Sequence, residues 1–126
     1  MAKASIDGYW NDYIYEVKLC GADKIAMIKD NKIPDNFYVQ VQWQIWVTKA
    51  KGAYICAIPF RAGYCDVGKV IFSELIKFDR KFFDTVIWPK ATEFFKKILT
   101  YRQEQEKKEN SQWNLNLIDN LGKGLY

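Results

Sequence analysis

The sequence predicts a mixed α/β (α+β) fold, a small mixed sheet flanked by helices, on three observations. A period-two run covers Asn11 to Leu19, an apolar β-branched run covers Gly52 to Phe60, and a helically spaced stripe covers Arg80 to Lys108. Hydrophobic residues make up 49% and aromatic residues 17% of the 126, enough apolar surface to build a core within one domain's length.

Taken in order, a short strand at Lys3 to Ile6 ends at the turn signal Asp7-Gly8 and pairs as a hairpin with Asn11 to Leu19. In the second strand Tyr13, Tyr15 and Val17 alternate with Ile14, Glu16 and Lys18, so Glu16 and Lys18 share a face. Lys24 to Lys32 is basic and broken by Asp30-Asn31, which reads as a loop holding at most a helical turn. Phe37 to Val47 sets two rules in conflict. Val39, Val41, Trp43 and Ile45 alternate with Gln40, Gln42 and Gln44 as in a strand, whereas Val39, Trp43, Trp46 and Val47 follow helical spacing behind the helix-start signal Pro34-Asp35-Asn36. Val67 to Phe78 reads as the strand beside Gly52 to Phe60, and Asp79 as the cap of the following helix. Pro89 imposes a kink near Trp88. The tail from Ser111 to Tyr126 has apolar residues without a period, so the organisation is a core over 1–108 and a tail over 109–126.

Composition narrows the chemistry. With no histidine, Ser-His-Asp and Cys-His hydrolysis, histidine zinc sites and histidine bases are excluded, leaving carboxylate, lysine and metal chemistry. Cys20, Cys56 and Cys65 are odd in number and form no C-x-x-C pair, which supports neither a disulfide framework nor a zinc ribbon. No apolar run approaches the roughly 20 residues that cross a bilayer, so a cytoplasmic protein without a membrane partner is expected. The net charge of +4 is compatible with an anionic partner and does not identify one.

One constellation could still do chemistry. Mg²⁺, or Mn²⁺ in its place, takes one or two carboxylates with water and phosphate oxygens completing its shell, a requirement that Asp7 and Glu16 across a hairpin would meet, with the Val17 carbonyl as a further oxygen. Lys18, beside Glu16, would hold the attacking water and offset charge building on a phosphodiester. Glu-x-Lys alone is also an ordinary self-compensating strand face, and Asp-Gly an ordinary turn.

The order of these residues resembles the lambda-exonuclease-like, or YqaJ-type, viral recombinases of the restriction-endonuclease-like superfamily. That family's pattern is Ser-Pro-Asp-Gly, then Glu-x-Lys, then a helix with Tyr-x-x-Gln-x-Gln, an aromatic residue and a Val-Thr ending. Here stand Ser5-Ile6-Asp7-Gly8, Glu16-Val17-Lys18, Tyr38-Val39-Gln40-Val41-Gln42-Trp43 and Trp46-Val47-Thr48. The resemblance spans most of Ala4 to about Ile98 and is specific over the first fifty residues. It implies a restriction-endonuclease-like core and makes Phe37 to Val47 a helix, with Gln40 aimed at the metal site and Trp43, Trp46 and Val47 in the core. Gln42 and Gln44 are then expected on a solvated face.

For function the resemblance implies two-metal hydrolysis of DNA, digesting duplex ends during phage-type recombination. Asp7 and Glu16 would be metal ligands, Lys18 the water-activating residue, and Gln40 the group positioning water or phosphate. Lys24, Lys29 and Lys32 are candidate phosphate contacts. DNA is the implied partner, with a single-strand annealing protein and self-association as further expectations. Family members carry a helical region ahead of the aspartate that adds an active-site glutamate. Only six residues precede Asp7 here, so a shortened core is expected. The alternatives are a catalytically impaired DNA-binding or assembly module with this fold, and a plain structural domain that buries its aromatic surface, Trp113 included, on a larger protein.

Overall fold

A computed structural model describes residues 3–124, with the backbone alone for 118 and 120–124. The chain divides into two compact units, Met1–Ile87 and Trp88–Tyr126. The first is an α+β unit. Its elements are β1 (Gly8–Trp10), β2 (Tyr13–Cys20), α1 (Ala22–Lys29), α2 (Asp35–Thr48), β3 (Gly52–Arg61), β4 (Tyr64–Cys65), β5 (Ile71–Phe72) and a short α3 (Arg80–Phe82) that runs into a wide helical turn at Phe83–Ile87. The second is the helix α4 (Trp88–Gly124).

The sheet is mixed. β1 is antiparallel to β2, β2 is parallel to β3, and β3 is antiparallel to both β4 and β5. Helices α1 and α2 make the crossover between the parallel strands, as such a pair requires. The β2–β3 register sets Ile14 beside Ala53, Glu16 beside Ile55, Lys18 beside Ala57 and Cys20 beside Pro59. Ile14, Ala53, Ile55 and Ala57 are fully buried on that face and meet Ile28 of α1 and Phe37, Val41 and Ile45 of α2. The opposite face carries Tyr13 and Tyr15 around Tyr54, with Val17 and Leu19 exposed.

Several expectations need correction. The first strand is Gly8–Trp10, and the hairpin turns at Asn11-Asp12, whose φ angles of 57° and 70° suit a two-residue turn that matches strand twist. Asn and Asp tolerate this left-handed backbone, so Asn11-Asp12 takes the turn from Asp7-Gly8. Lys3 to Ile6 forms no strand; Trp43 Nε1 donates to the Lys3 carbonyl at 2.9 Å and Gln44 Nε2 to the Ser5 carbonyl at 2.7 Å, which ties this segment to α2. The expected basic loop contains the eight-residue α1, because Ile25 and Ile28 face the core; it stops at Asp30-Asn31, with Asn31 at φ 58°. Val67 to Phe78 yields only the two-residue β5 and a bridge between Ala53 and Ile76. Ser73 pairs with Ile55 twice, its amide donating to the Ile55 carbonyl and its hydroxyl accepting from the Ile55 amide, each at 2.9 Å, which substitutes a side chain for a ladder partner. Gly52 passes so close to Ile76 that an added Cβ would lie 2.8 Å from its carbonyl oxygen.

The helical assignment of Phe37 to Val47 holds, but the buried face differs. Phe37, Val41 and Ile45 fill the core, and Gln42 and Gln44 are 0% and 1% exposed rather than solvated. Trp43, Trp46 and Val47 are half-buried on the other side, where both tryptophans meet the Phe83 ring, at 6.3 and 5.1 Å between centroids. Asp79 caps α3 as expected, accepting from the Phe82 amide at 3.0 Å.

Pro89 is the second residue of α4, which directly follows the wide helical turn at Phe83–Ile87, an irregularity of the kind a proline imposes on the preceding turn. The aperiodic Ser111 segment continues this helix to Gly124, and Lys97 and Glu93 pair at 3.3 Å one turn apart. Among the described residues no helix is long and apolar enough to cross a membrane.

Candidate functional site

β2 alternation sends Ile14, Glu16, Lys18 and Cys20 toward α2, so Glu16 enters the interior and is 4% exposed. A buried carboxylate needs donors, and α2 supplies them. Gln40 Nε2 donates to Glu16 Oε1 at 2.8 Å, and Gln44 Nε2 donates to Glu16 Oε2 at 3.1 Å. Lys18 Nζ lies 3.3 Å from Glu16 Oε1 and donates to Gln40 Oε1 at 2.6 Å. Glu16, Lys18 and Gln40 thus close a three-membered ring of polar contacts, and Gln44 steadies the remaining carboxylate oxygen.

Asp7 reaches this ring through the backbone. The β1–β2 register pairs Gly8 with Tyr15, and one further step sets Asp7 opposite Glu16. Its Oδ2 accepts from the Val17 amide at 2.9 Å, and Asp7 itself is exposed. Val17 is therefore tied to the site by its N–H, whereas the sequence pointed to its carbonyl. Both carboxylates also act on Cys56, the β3 partner of Val17: burial first, then the charges of Asp7 and Glu16, push its thiol above the ordinary range.

Lysines divide by position. Lys18 and Lys24 approach the Phe37 ring, at 5.2 and 4.9 Å from its centroid, which brings Lys24 of α1 beside the ring of polar contacts. Lys29 closes α1, and Lys32 follows it with its amide bonded to the Met27 carbonyl; neither side chain contacts the site among the described residues.

The donor set can be tested against a divalent cation. A carboxylate offers roughly four lone-pair positions, and Glu16 uses three on Gln40, Gln44 and Lys18. Asp7 uses one on Val17. Two carboxylates with positions to spare meet the minimum for one hard cation whose remaining ligands are water and phosphate. Among the described residues no cluster of three or more Asp, Glu or Cys side chains that could hold a metal ion forms.

Sequence reasoning missed Gln44, which it placed in solvent. It also missed a second polar anchor: Gln42 Nε2 donates to the Lys77 carbonyl at 2.9 Å and Gln42 Oε1 accepts from the Asp79 amide at 2.8 Å. Tyr38 donates to Asp79 Oδ2 at 2.8 Å. Burial, that hydrogen bond and the Asp79 charge push the Tyr38 phenol up to about 12, and the Phe82 amide with the Tyr38 hydroxyl holds Asp79 below the usual carboxylate range. The signal for both glutamines was the Gln-x-Gln-x-Gln spacing itself, polar residues at positions that helical geometry splits between two flanks of one helix.

Two cavities of about 550 Å³ open elsewhere on the first unit, one beside Tyr38 and Asp79 and one at the ends of β2 and β3. Neither is lined by Asp7, Glu16 or Lys18. No protein-family model, curated protein or solved structure matches the chain.

Proposed function

We propose that this chain is a metal-dependent deoxyribonuclease with a restriction-endonuclease-like core, and that Asp7, Glu16, Lys18 and Gln40 form its site. The observation that carries the reading is the Glu16–Lys18–Gln40 ring, held between a strand and the helix that crosses from it to the parallel neighbour. The family resemblance calls for a hairpin aspartate, a strand Glu-x-Lys and a helix glutamine, and the bond from the Val17 amide to Asp7, next to the ring, supports it.

Asp7 and Glu16 would hold one Mg²⁺ or Mn²⁺, which when bound supplies positive charge at the scissile phosphate. The chain's own residues account for the rest. Lys18, with Glu16 on one side and Gln40 on the other, presents an ammonium that holds the attacking water and offsets the negative charge growing on the phosphate oxygens. Gln40 fixes the Lys18 rotamer and the Glu16 carboxylate at once, so both are in place before substrate arrives. Lys24 extends positive charge from α1 toward the incoming backbone.

The experiment is cleavage of linear duplex DNA with Mn²⁺ by wild type, Glu16→Gln and Lys18→Ala. Both variants are expected to lose at least ~100-fold, because a ligand or a charge aimed at the transition state commonly contributes several kcal/mol. Undiminished cutting by both ends the assignment.

A second reading is favoured by the engagement of Glu16 by three protein donors, which satisfy most of its lone pairs without a cation. In it the polar ring serves the fold of a DNA-binding or assembly module that does not cut. Calorimetric titration of Mn²⁺ into wild type and Asp7→Ala separates the two, since equal heats belong to the second.

A further inference from the structure

Along β2 the residues facing α2 run Glu16, Lys18, Cys20, and on β3 their neighbours run Ile55, Ala57, Pro59. Cys20 therefore lies about 7 Å beyond Lys18 along the strand, at 3.3 Å per residue. At that point a cavity of about 550 Å³ opens, floored by Cys20, Pro59 and Ile25 of α1. Its floor is apolar. Its rim carries Tyr64 and Arg61, which are cross-strand partners in the β3–β4 hairpin, with Lys69 and one carboxylate, Asp66. Tyr64 is 69% exposed, so its ring face is open to stacking. The Arg61 guanidinium makes no hydrogen bond or ion pair among the described residues, and Lys69 has only a loose contact with Asp66 at 3.8 Å.

An apolar floor, an open aromatic ring and two cations, one step past a lysine poised for phosphate, match one class of ligand. We propose that this cleft takes the unpaired nucleotide next to the scissile phosphate, its base lying on Tyr64 over the Cys20–Pro59 floor and its phosphate between Arg61 and Lys69. The inference rests on the nuclease reading for the identity of the strand and adds to it a place where that strand is gripped. Cavity size agrees, since small-molecule sites run from about 300 to 1,000 Å³.

The grip can be measured without cutting. Binding of a fluorescent thymidine strand of about ten nucleotides is followed by anisotropy in EDTA, with a second strand in which the bases are replaced by abasic residues. Tyr64→Ala is expected to weaken the thymidine strand about tenfold and Tyr64→Phe to restore it, because stacking needs the ring and not the hydroxyl. The abasic strand should bind more weakly and be indifferent to Tyr64→Ala. Arg61→Ala should lower the salt dependence by about one phosphate contact. Full affinity in Tyr64→Ala, or equal binding of the two strands, overturns the proposal. Failures are separable: a protein that binds through Tyr64 in EDTA but never cuts with Mn²⁺ removes the nuclease reading, and one that cuts but ignores Tyr64 removes the cleft. Both residues are exposed, and matching melting curves exclude a folding defect.

Discussion

Replacing Gln44 by leucine tests whether the polar ring around Glu16 is held by α2. Gln44 makes two hydrogen bonds through one nitrogen, to the Ser5 carbonyl and to Glu16 Oε2, while its buried Oε1 finds no donor among the described residues. Leucine removes a bond to a charged group, about 1.5 to 3 kcal/mol, and a bond to an exposed residue's carbonyl, about 1 kcal/mol. It also removes the orphaned oxygen, which returns about 1 to 2 kcal/mol. The net loss is about 0.5 to 3 kcal/mol. Gln42→Leu is the comparison, since both its polar atoms are bonded and nothing is returned: the Lys77 carbonyl and Asp79 amide are left bare, for a loss of about 2 to 4 kcal/mol. Urea unfolding followed by tryptophan fluorescence, with unchanged m-values, gives both numbers. Cleavage should reverse the order, Gln44→Leu slowing it at least tenfold through a misplaced Glu16 and Gln42→Leu changing it little. If Gln44→Leu destabilises more than Gln42→Leu, the orphaned oxygen is not costing what burial demands. If the two variants cut alike, Gln44 does not position Glu16.

Two further outcomes follow from local geometry. Ultraviolet titration should find the Tyr38 phenol ionising near pH 12, and Asp79→Asn should bring it down. Because the raised phenol stays neutral when folded, its contribution is present below pH 10 and is lost as pH rises toward about 12; Asp79, held low, acts oppositely, contributing above the ordinary carboxylate pKa and losing that contribution as pH falls below it. Lys49 closes α2 with φ at 59°, a left-handed position suited to glycine, and its ammonium lies 4.9 Å from the Trp46 ring centroid. Lys49→Gly should stabilise by about 0.5 to 1 kcal/mol in thermal unfolding, backbone relief exceeding the lost cation–ring contact.

Legibility followed how local each cause was. β2 and β3 were plain because alternation and an apolar run are written in consecutive residues, and Asp79 was plain because a cap acts within three positions. The first strand was displaced because two turn signals four residues apart compete, and only pairing chooses between them. The strand expected at Val67 to Phe78 failed because the hydroxyl of Ser73 takes the Ile55 amide, a contact eighteen residues away that no periodicity contains. Within the candidate site, Glu16 and Lys18 were legible from strand alternation, and Gln40 from the family resemblance. Gln44 was not, since the usual burial rule places a glutamine in water unless a buried charge is known to need it.

That last point explains the conflict over Phe37 to Val47. At about 100° per residue, Phe37, Val41 and Ile45 form one ridge of α2; Gln40 and Gln44 fall together on one flank, and Tyr38 and Gln42 on the other. The first flank grips Glu16, and the second grips the Lys77–Asp79 segment. Trp43 and Trp46, on the far side, are covered in turn by Phe83. A helix whose buried positions include two glutamines and whose exposed positions include Val39 has no clean amphipathic signature, so glutamines at every second position imitate a strand. The false alternation is thus a product of the site: one helix must carry a polar clamp on each flank of an apolar ridge, and residues two apart are how a helix reaches both.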